Sequence, residues 1–243
     1  MKEHPPGVIA LPCTEHFRYS RSALSAMAVK RPSLSKIDMV IGMDVTLASN
    51  KIVEDAIDEG FHWVWFQSDD HVYDDQMLYR LLDHDVDVIV PLIARRNPPY
   101  ALVIYKGEEW ETLPDGQVTA SYELFPPEEI PGEGIMEVHA AGTGGMLVRT
   151  EVFKKIPAPW FESSSGAFTN HDLEFCRKVR DAGFKIHADV ESVMTHLSDY
   201  AVYPEFKNDR WGITLDFGNG KGSNRIWFGD DPRKVAAAQE EGA

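Results

Sequence analysis

Cysteine is scarce in this chain. Two residues in 243, Cys13 and Cys176, are too few for a disulfide framework and too far apart for a CxxC-type zinc or redox pair. Positive charge is scarce as well: 24 Lys and Arg against 39 Asp and Glu leave a net charge of 24 − 39 = −15. An excess of that size repels phosphate backbones and argues against general nucleic-acid binding. Arg95 and Arg96, with the Lys207–Arg210 and Lys221–Arg225 regions, leave room only for a local basic patch. No apolar run reaches the roughly 18 residues that a membrane-crossing helix needs, and no basic amphipathic helix suggests stable attachment to a bilayer. The first residues, Met1-Lys2-Glu3-His4-Pro5-Pro6, lack the apolar core of a secretory signal. Together these absences predict a soluble, cytoplasmic protein. Catalytic signatures are missing too. There is no G-x-x-x-x-G-K-[ST] loop and no G-x-G-x-x-G after the first strand, which removes the main support for ATPase and dinucleotide-oxidoreductase chemistry. Neither G-x-S-x-G nor H-E-x-x-H occurs.

What is present is an alternation. Gly7–Pro12, Asp38–Met43, His62–Phe66 and Asp87–Leu92 read as buried strands. Between them lie helical spacings: Ala23, Leu24, Met27 and Ala28 before Pro32; Ala48, Ile52, Val53, Ala56 and Ile57 before Gly60; and Met77, Leu78, Leu81 and Leu82 after a capping Asp74 or Asp75. Such alternation predicts right-handed crossovers and a mainly parallel α/β sheet covered by helices on both faces. Residues 94–138 are rich in Pro, Gly and Glu and hold two short strand candidates, Ala101–Tyr105 and Val118–Leu124, expected as an inserted hairpin with loops that face an acceptor. Regular structure resumes with a Gly-rich turn at Ala140–Gly145 entering a strand. A short helix over Thr150–Ile156 follows, then a helix capped by Thr169 or Asn170, and a strand over residues 184–190. Residues 199–243 read as a tail or lid with an Ala/Glu-rich terminal helix.

Ligands of open α/β sheets bind beyond the carboxyl ends of the strands. The third strand ends in Gln67-Ser68-Asp69-Asp70-His71, where adjacent carboxylates need a cation or hydrogen bonds to coexist. A divalent metal, Mg²⁺ or Mn²⁺, would compensate them and also hold a diphosphate. Capping of the next helix competes as an explanation, although Asp74 and Asp75 are better placed for it. Asp172 has two readings of similar weight: the last residue of a capping box Thr169-x-x-Asp172, or a carboxylate facing a cleft and serving as general base. His196 after an apolar strand is either a structural histidine or a ligand. Gly142-Thr143-Gly144-Gly145 serves equally a tight turn or a close approach to a ligand.

The order of these segments adds information. Phe66-Gln67-Ser68-Asp69-Asp70-His71-Val72, then Ala141-Gly142-Thr143-Gly144-Gly145-Met146-Leu147-Val148-Arg149, then His171-Asp172-Leu173-Glu174-Phe175-Cys176-Arg177-Lys178, then Thr195-His196 follow one another. From Gly7 to about Leu197 the chain resembles glycosyltransferases of the GT-A fold, in the style of family 2. The resemblance implies a Rossmann-like domain over residues 1–198 and transfer of a sugar from a nucleotide diphosphate, a UDP- or GDP-sugar, to an acceptor hydroxyl. It further implies Mn²⁺ or Mg²⁺ held by Asp70 and His196 with Asp69 or His71 assisting. Donor contacts would come from Pro12, Thr14, Glu15, Asp44, Asn50, Ser68, Asp69, Gly142, Thr143 and Gly144, and catalysis from Asp172 with His171 beside it. Ser68 stands where the family's first metal-binding Asp is placed, and His171 where an acidic residue precedes the catalytic Asp. Two rival readings remain: nucleotidyl transfer to a sugar phosphate, disfavoured by the acidic Pro12-Cys13-Thr14-Glu15, and a module that binds a sugar nucleotide or glycan without turnover. A modified base in a nucleic acid is one acceptor among several.

Overall fold

The computed structural model describes residues 3–13, 19–97, 100–112, 114, 118–162, 171–198, 200–217 and 223–229. The first half runs β1 (Val8–Cys13), α1 (Ser20–Ala28), β2 (Lys36–Ile41), α2 (Val45–Asp58), β3 (Trp63–Phe66), β4 (His71–Val72), α3 (Met77–Asp83) and β5 (Val88–Leu92). The hairpin β6 (Ile104–Thr112) and β7 (Val118–Leu124) follows, then β8 (Ile135–Val138), β9 (Ala140–Ala141), β10 (Leu147–Arg149) and α4 (Thr150–Lys155). Last come α5 (His171–Asp181), β11 (Ile186–Val193), β12 (Thr195–Leu197), β13 (Ala201–Lys207), β14 (Arg210–Asp216) and β15 (Ser223–Trp227).

The molecule is mixed α/β. Seven strands form the main sheet in the order β2-β1-β3-β10-β5-β11-β8. The expectation of a mainly parallel sheet holds for only half of its pairings. β1 runs parallel to β2 and β3, and β11 to β5, whereas β10 is antiparallel to both its neighbours and β8 to β11. The cause is the segment between β5 and β10. Among its described residues no α-helix carries the chain back across a face, as a parallel neighbour requires. The chain therefore enters β10 from the carboxyl end of β3.

Burial on two sides explains the uninterrupted apolar runs of β3 and β5. Alternate residues divide between two clusters. Val8, Ala10, Val64, Phe66, Val88 and Val90 pack with residues of α2, α4 and α5, and Ile9, Trp63, Trp65 and Ile89 pack with residues of α3. Asp44 caps α2 by accepting from the backbone N–H of Thr46 at 2.9 Å, and Gly60, at φ +77°, supplies the left-handed residue beyond its end.

The expected inserted hairpin is present as β6 and β7, with β9 completing a three-stranded sheet. The C-terminal region departs from the tail or lid expected of it. β13, β14 and β15 join β12 and β4 in an antiparallel five-stranded sheet in the order β15-β14-β13-β12-β4. Trp211, Ile213 and Leu215 of β14 are buried in the core, so apolar alternation makes this segment part of the fold. The expected terminal helix lies outside the described residues.

Candidate functional site

Asp70, His71 and His196 converge through one pair of short strands. β4 and β12 are antiparallel, with His71 directly opposite His196, and the Leu197 N–H donates to the Asp70 carbonyl at 2.7 Å. The two imidazoles meet edge to face, 4.8 Å between centroids. One ligand atom from each of Asp70, His71 and His196 lies within 4.8 Å of the others.

The Asp70 carboxylate is largely buried and fully engaged. Its Oδ1 accepts from the Ser68 hydroxyl at 2.7 Å and lies 3.4 Å from His71 Nε2. Its Oδ2 pairs with Arg96 Nη1 at 2.7 Å and lies 3.4 Å from His196 Nε2. Burial opposes ionisation, yet hydrogen bonding to His196 and Ser68 holds this carboxyl well below the usual range. Burial dominates His71 and pushes it down to about 3, with Arg96 contributing in the same direction, so its imidazole is neutral. His196 Nδ1 lies 2.9 Å from the Ala94 carbonyl. A proton on Nδ1 satisfies that contact, which turns Nε2 toward Asp70.

The opposite wall comes from the Gly-rich turn and the start of α5. A side chain at Gly144 would put Cβ 2.3 Å from Cε1 of His71, so the absence of one lets the turn lie flat on the imidazole. Thr143 donates its hydroxyl hydrogen to Asp172 Oδ1, and His171 Nε2 lies 2.9 Å from the same oxygen. Burial raises the Asp172 pKa, but hydrogen bonds from His171 and Thr143 outweigh it and leave the group lowered. Burial likewise lowers His171 while its contact with Asp172, helped by Asp44, raises it, and the net direction is up. The start of α5 is seated by aromatic packing: Phe161 stacks on Phe175 at 4.6 Å and meets the His171 ring at 6.5 Å. Asn50 fixes that aromatic from across the core. Its Nδ2 donates to the Phe161 carbonyl at 2.7 Å, and its Oδ1 accepts from the N–H groups of Trp160 (2.8 Å) and Phe161 (3.0 Å).

A cavity of about 270 Å³ lies between these walls. Of the residues expected from sequence, Pro12, Ser68, Asp70, His71, Thr143, Gly144, His171, Asp172 and His196 line it. Four residues given no site role from sequence, Val45, Ser49, Phe66 and Gln67, line it as well. Both amide atoms of Gln67 are buried without a hydrogen-bond partner, a feature that strand periodicity cannot reveal. Asp44, Asn50, Asp69 and Gly142 are not part of the lining. Asp44 caps α2, and Asn50 clamps the backbone at 160–161. Asp69 sits near Cys13, whose thiol is pushed up to about 11 by burial and by that carboxylate. Burial takes the Cys176 thiol up to about 12, so both cysteines are unreactive packing groups. Thr14 and Glu15 lie outside the described residues. Of the two arginines expected to contribute to a basic patch, Arg95 donates to the Tyr105 hydroxyl at 2.8 Å and Arg96 pairs with Asp70.

No protein-family model matches the chain, and no curated protein matches it. Among solved structures it is similar to A197 from STIV, at 15% identity over 93% of this chain and 95% of that chain, with a TM-score of 0.56. A likeness at that identity is a likeness of fold, and across nearly the whole of both chains the two share theirs.

Proposed function

We propose that the chain is a metal-dependent glycosyltransferase with a variant of the GT-A fold, moving a sugar from a nucleotide diphosphate to a hydroxyl acceptor. One observation carries the reading: Asp70, His71 and His196 bring their ligand atoms together at one wall of a cleft whose other wall presents Asp172. The donor set fits a divalent cation, since it offers a carboxylate and two imidazoles, one neutral by burial and the other oriented by the Ala94 carbonyl. Two nitrogen donors favour Mn²⁺ over Mg²⁺, which prefers an all-oxygen octahedron. When bound, such a cation supplies positive charge against the diphosphate that departs from the sugar.

The protein's own groups divide the remaining work. Ser68, in the position of the family's first metal-binding Asp, orients Asp70 by hydrogen bonding to Oδ1. Asp172 Oδ1 is committed to Thr143 and His171, which keep the carboxylate ionised and aimed at the cleft. An ionised, buried carboxylate held in that way accepts the proton of an attacking hydroxyl if configuration inverts, and orients the hydroxyl if it is retained.

Incubating the protein with a panel of UDP- and GDP-sugars and Mn²⁺, and following release of nucleoside diphosphate, tests the reading. Release that is lost in Asp70→Ala and His196→Ala supports it. No release from the sugar nucleotides, with pyrophosphate released from a nucleoside triphosphate when a sugar phosphate is supplied, would identify a nucleotidyltransferase, and donor binding without turnover under every metal would identify a binding module.

A further inference from the structure

Arg96 reaches Asp70 from the solvent side. Its side chain is 35% exposed where that of Asp70 is 12% exposed, and its guanidinium contacts Oδ2, the oxygen that faces His196. Its backbone is anchored separately, because the Tyr200 hydroxyl donates to the Arg96 carbonyl at 2.9 Å. The side chain can therefore swing while its point of attachment stays fixed. We infer that Arg96 is the resident counter-cation of Asp70 and is displaced when a divalent cation is bound there, so that guanidinium and metal exclude each other. This rests on reading Asp70 as a cation site.

Two physical facts require the exchange. A mostly buried carboxylate without a positive partner is strongly disfavoured, and Arg96, 2.7 Å from Oδ2, fills that need before a cation arrives. A divalent cation bound to Oδ2 would face the guanidinium across a single oxygen atom, in a setting where water screens poorly. The consequence is a threshold. If the guanidinium occupies the site in about 90 to 99% of molecules, the apparent metal affinity falls by about ten- to a hundredfold.

The test is Mn²⁺ binding followed by electron paramagnetic resonance on the full chain, without any sugar donor. Arg96→Gln is expected to bind Mn²⁺ at least tenfold more tightly than wild type, Arg96→Lys to fall between them, and Asp70→Asn to bind none at this site. Equal or weaker binding by Arg96→Gln, with Asp70→Asn still abolishing it, overturns the competition and leaves the metal site standing. Unchanged binding in Asp70→Asn overturns both. Tighter binding by Arg96→Gln with no affinity of any form for an activated sugar removes the glycosyltransferase reading and leaves the competition standing. If Arg96→Gln does not fold, the wild type decides the matter. The Arg96 Nε–H resonance, assigned by its loss in Arg96→Lys, should shift on titration with diamagnetic Zn²⁺, and a resonance unmoved at saturation overturns the inference.

Discussion

Gly144→Ala perturbs the cleft with a single methyl group. No positive φ constrains Gly144, so alanine can adopt its backbone and the effect is steric. The new Cβ would stand 2.3 Å from Cε1 and 2.8 Å from Nδ1 of His71. That imidazole has little space to retreat: it is 7% exposed, and the His196 and Tyr73 rings lie 4.8 Å and 6.3 Å away. Overpacking of this kind costs about 1–3 kcal/mol, and the reduced freedom of alanine in the unfolded chain returns roughly 0.4–1 kcal/mol. A net loss of about 1–2 kcal/mol is expected by urea unfolding, together with at least a tenfold loss of Mn²⁺ affinity as His71 and His196 separate. Gly142→Ala is the matched control, since its nearest contact is 3.1 Å to the Cγ1 of Val103 and Asp172 Oδ2 lies 3.9 Å away. It should change stability by less than about 1 kcal/mol and leave metal affinity intact. If Gly144→Ala matches wild type in both measurements, or Gly142→Ala is the more damaging, the packing of this turn on His71 does not organise the site.

Other perturbations separate structural from chemical roles. Asn50→Ala removes three hydrogen bonds to the backbone at 160–161 and should lower unfolding free energy by about 2–3 kcal/mol, with Asn50→Asp, which keeps the acceptor, losing less; equal losses would contradict the clamp. Asp172→Asn should reduce turnover by about 10² or more at nearly unchanged donor affinity, and near-wild-type turnover would return Asp172 to a capping role. His171 has its pKa raised above the ordinary 6.5 through its contact with Asp172, so the pair stabilises the fold fully below that value and loses its contribution as pH climbs through the raised one. Unfolding free energy measured between roughly pH 6 and pH 9 should fall less steeply in His171→Gln than in wild type, and parallel curves would refute the linkage.

Much of the scaffold was legible because burial leaves a mark on sequence. The runs at 62–66 and 87–92 had to be strands covered on both faces, and they are β3 and β5. The helix over 45–58 announced its apolar face and its terminal Gly60. The parallel reading failed at β10, because three residues of strand carry no sign of direction, and direction here is set by the route from β5. The sheet of β13 to β15 escaped notice because aromatic and glycine content resembles a loop until the strands are paired. At the site, Asp70, Asp172 and His196 could be picked out from residue type and strand ends. That His71 lies opposite His196 is a matter of register between strands more than a hundred positions apart, and no local pattern encodes it. The structural use of Asn50 was equally hidden, because its amide holds a turn more than a hundred positions away.

The placement of β10 also bears on how the chain is made. Trp63-Val64-Trp65-Phe66 has β1 along one side from early in synthesis, but its other side stays bare until Leu147–Arg149 has emerged. For the intervening eighty or so residues a nascent polypeptide carries an open, aromatic strand edge, the kind of surface that recruits like strands from neighbouring molecules. Fragments ending before position 147 should therefore precipitate rather than accumulate as half-domains.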